Sequence, residues 1–187
     1  MLNPQFYPFP LMETPRLLLR RITKEDAPEV YYFRATPALN LYTLRPLITE
    51  MQQAIDFIDM VEAQIDKNEG ISWVICLKDA PEKMIGDIAI WRLVKEHFRG
   101  ELGYVLHPDF HGKGLMSEAL KSVIDFAFVE MGLHSLEANV TPGNDPSTIL
   151  LLRNGFEQQG AFKENYYYDG KFYGTDVFCL VNATGKK

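Results

Sequence analysis

The chain has 187 residues, of which 47% are hydrophobic and 24% charged, room for one globular domain of roughly 100–200 residues and not for two. A domain of that size buries roughly 70% of the surface its unfolded chain exposes and needs no disulfide or metal to hold a core. With 19 basic against 25 acidic side chains the formal net charge is −6, which argues against nucleic acid or another polyanion as partner and favours a cationic or amine substrate.

Residues 1–12 carry Pro4, Pro8 and Pro10 among aromatics, which blocks helix and predicts either an extended arm on the body or a disordered tail. The first seventeen residues lack the cationic start and apolar core of a signal peptide. No apolar run in the chain nears the roughly 18 residues of a membrane span, so a soluble, cytoplasmic protein is expected. Residues 15–22 read as a strand, and Thr23 with Asp26 as a capping box that opens a helix to about Ala35. Thr49 with Gln52 opens a longer helix, in which Met51, Ile55, Ile58, Val61 and Ile65 recur at three- and four-residue steps until residues 68–70 stop it. Residues 71–78 and 83–94 form a hairpin about the turn at 79–82, and residues 99–106 add a third antiparallel strand that His107-Pro108 ends. His111-Gly112-Lys113-Gly114 leads into a helix over 115–131 with an amphipathic stripe, closed by Gly132. A strand over 135–141, a loop over 142–146 and a short helix over 147–154, ended by Gly155, follow. Residues 156–168 and 171–181 make a hairpin around Asp169-Gly170.

No linker or repeat divides the chain, which we read as an arm over 1–12, a single domain over 13–182 and a tail over 183–187. The order of elements implies an α/β fold of the α+β type with a mixed, mostly antiparallel sheet. The helical crossover makes the 99–106 and 135–141 strands parallel, whereas the hairpins are antiparallel. Cys76 and Cys179 lie in β-branched and aromatic runs where reduced, buried thiols are expected. His107 and His111 are four apart, but Pro108 excludes a regular helix presenting both and no third ligand is near, so no metal site is expected. Trp73 and Trp91 read as core, and Tyr166 to Tyr168 as a half-buried strand face, with a substrate-groove wall as the other reading.

The turn at 111–114 is the most informative passage. Glycines before a helix let backbone N–H groups approach an anion at its N-terminus, and Lys113 adds positive charge. The spacing fits neither a Walker loop nor a dinucleotide fingerprint. Taken alone, it reads equally as a tight strand-to-helix turn.

Four stretches carry a resemblance: ETPRLLLR at 13–20, ELGYVLHPDFHGKGLMSEAL at 101–120, EANVTPGN at 137–144 with Ser147, and RNGF at 153–156. They resemble the GNAT-superfamily N-acetyltransferases, most of all the Rim branch that acetylates ribosomal-protein N-termini, over residues 13–181. The resemblance implies a GNAT-like sheet of seven strands flanked by about four helices, its parallel pair splayed at the cofactor site, with acetyl-CoA as co-substrate. The family's turn, Gln/Arg-x-x-Gly-x-Gly/Ala, falls on residues 111–116, where His111 and Met116 depart from it. It implies that His111, Gly112, Lys113, Gly114, Leu115, Met116 and Ser117 hold the pyrophosphate. Tyr104, Val105 and Leu106 would pair with the pantetheine arm as an added strand does, with Asn144 on the arm's other side.

Moving an acetyl group from a thioester to an amine requires a free amine, a polarised carbonyl and a proton for the departing thiolate. A lysine amine has a pKa of about 10.4 but an α-amine only about 7.7–8.0, so an N-terminal substrate needs less help from a base. By the resemblance, Glu101 matches a glutamate that takes the proton through water; its other reading is a strand carboxylate paired with Arg92 or Arg99. Many family members carry a second glutamate where this chain has Asn139, and a thiolate-protonating tyrosine where it has Leu151; neither residue can move a proton. Ser147 matches a serine beside the sulfur and is left as the acid, its other reading being a helix N-cap. The backbone N–H of Val105 or Leu106 is expected to polarise the carbonyl. The expected reaction is acetyl transfer to a primary amine, foremost a protein or peptide N-terminus. The alternatives are a small amine (polyamine, amino acid or antibiotic) and a non-catalytic acyl-CoA-binding domain. The acidic excess is expected on the acceptor side, and the protein as a monomer or homodimer.

Overall fold

In the computed structural model, which describes residues 1–183, the apolar runs align as one eight-stranded sheet in the order β1-β2-β3-β4-β5-β6-β8-β7. The strands are β1 (Met12–Glu13), β2 (Leu17–Arg20), β3 (Ile71–Leu77), β4 (Gly86–Val94), β5 (Arg99–Leu106), β6 (Ser135–Val140), β7 (Glu157–Tyr168) and β8 (Lys171–Val181). Every neighbouring pair is antiparallel except β5–β6, which is parallel. This is the mixed sheet expected, with eight strands in place of seven. The extra one comes from Met12 and Glu13 pairing with Leu19 and Leu18, and two residues are too few to show any period. Of the expected tail, residues 184–187 lie outside the described residues.

The helices are α1 (Ala27–Ala35), α2 (Met51–Asp66), α3 (Leu115–Asp125) and α4 (Asp145–Arg153). The box at the entry to α1 forms as read: Asp26 accepts from the Thr23 N–H at 2.9 Å, and Arg20 neutralises its buried carboxylate at 2.6 Å. The start of α2 shifts by one residue, because the Gln53 side chain accepts from the N–H groups of both Thr49 (2.8 Å) and Glu50 (3.0 Å), leaving Glu50 as N-cap. Regular α3 ends at Asp125 and not at Met131. Residues Phe126–Glu130 widen into a π turn closed by Met131 N–H to Phe126 O at 3.0 Å, and Phe126 meets Trp73 edge-on at 5.3 Å.

Period-two alternation divides the sheet's faces. On one face Trp73, Ile75, Ile88 and Ile90 are buried toward α3. On the other, Ser72, Asp87, Ala89, Trp91, Glu101 and Gly103 line a cleft that Arg34 of α1 and Phe57 of α2 also border. Residues at the N-terminus are tied to the body: Leu2 and Phe6 are buried, the Phe6 N–H donates to Asn68 Oδ1 at 2.7 Å, and Trp73 Nε1 donates to Pro10 O at 2.7 Å. Both cysteines are free; Cys76 is buried and Cys179 half-buried. Burial pushes the Cys76 thiol up to about 11, which makes it inert.

Candidate active site

β5 and β6 pair only at Arg99–Ser135, Gly100–Leu136 and Glu101–Glu137, although β5 continues to Leu106 and β6 to Val140. Beyond Glu101 the strands part. Antiparallel alternation decides which residues of β5 present their peptide groups to the gap. His107 donates its N–H to Ile85 O at 2.8 Å, so the opposed pairs Asp87–Val105 and Ala89–Gly103 bond each other across β4–β5. Tyr104 and Leu106 therefore face the gap. Of the two expected carbonyl-polarising donors, the Val105 N–H is turned toward β4, whereas that of Leu106 is open. His111 Nε2 lies 2.8 Å from Leu106 O and fixes the strand end.

The turn that follows runs through Gly112 and Gly114 at φ +71° and +74°, backbone that costs other L residues about 1–2 kcal/mol. The first helical bond of α3 is Glu118 N–H to Gly114 O at 3.1 Å, so the N–H groups of Leu115, Met116 and Ser117 have no helical acceptor and are available to an anion. The Met116 side chain is buried, and the Lys113 ammonium lies 5.3 Å from the Phe110 ring. Ser117 Oγ is engaged with Asn154 Oδ1 at 3.2 Å. Arg16 clamps the turn: its Nη1 donates to Lys113 O at 2.9 Å, and its Nη2 pairs with Glu118 at 2.6 Å. Burial opposes ionisation of Glu118, but hydrogen bonds from Thr14 and Arg16 outweigh it and hold the carboxyl below the usual range. Arg16 was not singled out by sequence reasoning. Its signal was the ETPRLLLR stretch, which reads as a strand and carries part of the resemblance, with no role for Arg16 in either.

Glu101 is 12% exposed and accepts from Arg92 Nη1 at 3.1 Å, while Arg99 pairs with Glu137 at 3.3 Å. Arg92 is thus the partner of the two weighed. It reaches Glu101 from an irregularity: the β4–β5 register shifts between Trp91 and Val94, and Arg92 adopts φ +45° with its guanidinium 4.4 Å over the Trp91 ring. Trp91, expected in the core, is instead 39% exposed on the cleft wall, because it opposes Glu101 and shares its face. Asn139 donates to Glu137 Oε1 at 3.2 Å, and Leu151 is fully buried.

The N-cap reading of Ser147 does not hold. Helix α4 begins at Asp145, and Asn144 is its cap, accepting from the Ser147 N–H at 3.4 Å. The Ser147 hydroxyl lies 2.7 Å from the Tyr104 hydroxyl. Burial pushes Tyr104 up to about 12, against the opposing pull of the Ser147 hydrogen bond, so Tyr104 keeps its proton throughout the physiological range. The histidines have other work: His111 holds Leu106, and His107 stacks on Tyr32 at 5.0 Å.

Glu101, Tyr104, Leu106, the first turn of α3, Asn144 and Ser147 line one cleft of about 2020 Å³, whose lining does not include Lys113, against about 300–1,000 Å³ for an ordinary single-ligand pocket. It has room for two substrates. Its far wall is tied by Thr141 Oγ1 donating to Tyr42 O at 2.8 Å and the Tyr166 hydroxyl donating to Leu44 O at 3.2 Å, so the 36–50 segment and the last hairpin border the same space. Arg34, Arg45 and Asp87 also line it. They stand on three elements with no shared spacing, and sequence reasoning missed them.

A family model described as "Acetyltransferase (GNAT) domain" matches residues 16–157. An uncharacterized N-acetyltransferase of Bacillus subtilis, YoaA, is 33% identical over 173 residues, covering 92% of this chain and 97% of that protein. The ribosomal protein uS5-alanine N-acetyltransferase of Escherichia coli is 29% identical over 170 residues, covering 86% of this chain and 85% of its own. A ribosomal-protein-S5-alanine acetyltransferase from Vibrio fischeri shares the fold with a TM-score of 0.81 at 22% identity, over 95% of this chain and all of that one.

Proposed function

The chain belongs to the GNAT acetyltransferase family, and we propose that it moves the acetyl group of acetyl-CoA onto the α-amine of a protein or peptide N-terminus. The observation that carries this reading is the open edge of β5 beside a half-buried glutamate. Tyr104 offers its peptide group to a pantetheine arm, as a strand edge does to an added strand, and Leu106 its N–H to the thioester at the arm's end. The N–H groups of Leu115, Met116 and Ser117, with Lys113 and Arg16 nearby, hold the pyrophosphate. Asn144 lines the other side of the gap, where its cap keeps Ser147 at the cleft.

The Leu106 N–H polarises the thioester carbonyl. Glu101, oriented by Arg92, takes the amine's proton through a water as the C–N bond forms and the C–S bond breaks. An α-amine at about 7.7–8.0 is partly neutral at working pH, so one modest carboxylate is enough. The departing thiolate accepts a hydrogen bond from Ser147, which Tyr104 holds in place. Tyr104 at about 12 is some three units less acidic than a thiol at about 8.5, so giving up its proton outright would cost about 4–5 kcal/mol. The hydroxyl pair therefore stabilises the thiolate by hydrogen bonding, and the proton comes from solvent. The alanine acceptor named for the Escherichia coli relative supports a protein substrate.

The test is coenzyme A release with peptides bearing free N-termini beside spermidine and free amino acids. Transfer to the peptides is expected, with Glu101→Gln lowering kcat/KM about 100-fold or more and leaving acetyl-CoA affinity in place. Faster turnover of a small amine, or acetyl-CoA binding without turnover of any amine, overturns the assignment.

A further inference from the structure

We propose that Arg34 and Arg45 form an anion seat at the floor of the cleft, selecting acceptors that carry a carboxylate two or three residues from the reacting amine. The inference rests on the acetyl-transfer reading above. Arg34 projects from α1, Arg45 from the segment between α1 and α2, and both line the cleft with Asp87 of β4. The Arg34 guanidinium lies 4.0 Å over the Phe57 ring, and its Nε is buried without a hydrogen-bond acceptor. Arg45 makes one hydrogen bond, from Nε to Asn40 Oδ1 at 3.1 Å. Among the described residues neither guanidinium closes an ion pair with Asp87 or any other carboxylate, and Asp87 has no hydrogen-bond donor.

Charge taken out of bulk water without a partner is costly, and Arg34, Arg45 and Asp87 are all half-buried. Here it is concentrated on one wall: two guanidiniums against one carboxylate leave one positive charge unbalanced. Burial accordingly pulls Arg34 down to about 10 and lowers Arg45, while it raises Asp87 to about 6 against the pull of the two arginines. Both guanidiniums stay charged at neutral pH, and Asp87 is mostly ionised there. A planar guanidinium facing open space with free N–H groups is built to take a carboxylate by paired, charge-assisted hydrogen bonds.

Register sets the distance. Asp87 opposes Val105, beside the Leu106 N–H that holds the acetyl carbonyl, and Trp91 opposes Glu101, so the reacting amine lies between the base and the seat's carboxylate, which are four residues or about 13 Å apart along the strands at ~3.3 Å per residue. An extended peptide advances about 3.3–3.6 Å per residue. A side-chain carboxylate at its second or third position spans the interval.

The experiment measures kcat/KM for two peptides that differ only in glutamate or glutamine at the second and third positions. The wild-type protein is expected to favour the glutamate peptide at least tenfold. Arg45→Gln and Arg34→Gln should each bring that ratio toward one, and Arg45→Lys should restore part of it. The ratio is taken within each variant, so a loss of folded protein cancels. Equal rates on the two peptides in the wild type, or a preference that survives both glutamine variants, overturns the seat while acetyl transfer stands. Transfer to neither peptide overturns the proposed function instead.

Discussion

Replacing Gly114 by Asp and, separately, by Asn isolates the charge at the N-terminus of α3 from its backbone geometry. The two side chains have the same size, and both tolerate left-handed backbone better than other L residues, so the φ of +74° costs them a similar amount. If that cost is about 1 kcal/mol, a chain of this length loses about 2–4 °C in Tm. A Cβ at this position meets only the Arg16 guanidinium, at 3.7 Å, an ordinary contact. The free protein therefore accommodates either variant, and what separates them is one negative charge beside a bound pyrophosphate. At about 6 Å and an effective dielectric constant near 20, two unit charges repel by about 3 kcal/mol, roughly 100-fold in affinity. Arg16 offsets part of this by turning from Glu118 to the new carboxylate, so we expect coenzyme A to bind the Asp variant about 10- to 100-fold more weakly than the Asn variant. Calorimetric titration at low and high salt reads the ratio, which should narrow as salt screens the repulsion. Equal dissociation constants for the two variants at both salt concentrations would refute an anion at this turn.

Tyr104→Phe removes the partner of Ser147, and kcat should fall about tenfold with little change in the KM for acetyl-CoA. Because the hydroxyls act as one unit, adding Ser147→Ala should cost little more; losses that multiply in steady-state kinetics would show that they act separately. Asp87 makes a prediction about stability. Burial raises its folded pKa above the unfolded value, so the stability it contributes is full below about pH 4 and is lost as pH rises through about 6. Asp87→Asn removes that loss, and the stability of the variant relative to wild type should grow by about 2 kcal/mol between pH 4 and pH 7. Urea midpoints that keep a constant offset across this window would contradict it.

Elements with a clear period or an obligatory turn were legible in the sequence. Asp169 and Gly170 both carry positive φ, as an Asp-Gly hairpin requires, and the length of the helical crossover was enough to make β5 and β6 parallel. Where several residues compete for one local role, the sequence did not decide. Asn144, Asp145 and Ser147 all suit an N-cap, but Pro146 lacks an N–H and is comfortable only in the first turn, so the helix starts before it and Asn144 takes the cap. That placement leaves the Ser147 side chain to Tyr104. The same limit applies to Thr49 and Glu50, whose N–H groups share the Gln53 side chain. The glycines marked the turn after β5 as a candidate, and the resemblance supplied Glu101. The floor of the cleft had no such pointer, since Arg34, Arg45 and Asp87 meet only after α1, the following segment and β4 have packed.

Charge shows why local arrangement matters more than the total. A net charge of −6 suggested an acidic acceptor side, and the cleft does contain Glu101, Glu137 and Asp87. Arg92 and Arg99 answer the first two directly, however, and the third faces both Arg34 and Arg45. At the other end Arg16 pairs with Glu118, leaving Lys113 and the helix N-terminus for an anion. Much of the acidic excess lies outside, as on α2, where Asp56, Asp59 and Asp66 are exposed. Such surface carboxylates are screened within about 8 Å at physiological salt. Half-buried guanidiniums inside a cleft are screened less, so an entering acceptor is sorted by two arginines in reach of its side chains and not by the sign of the whole molecule.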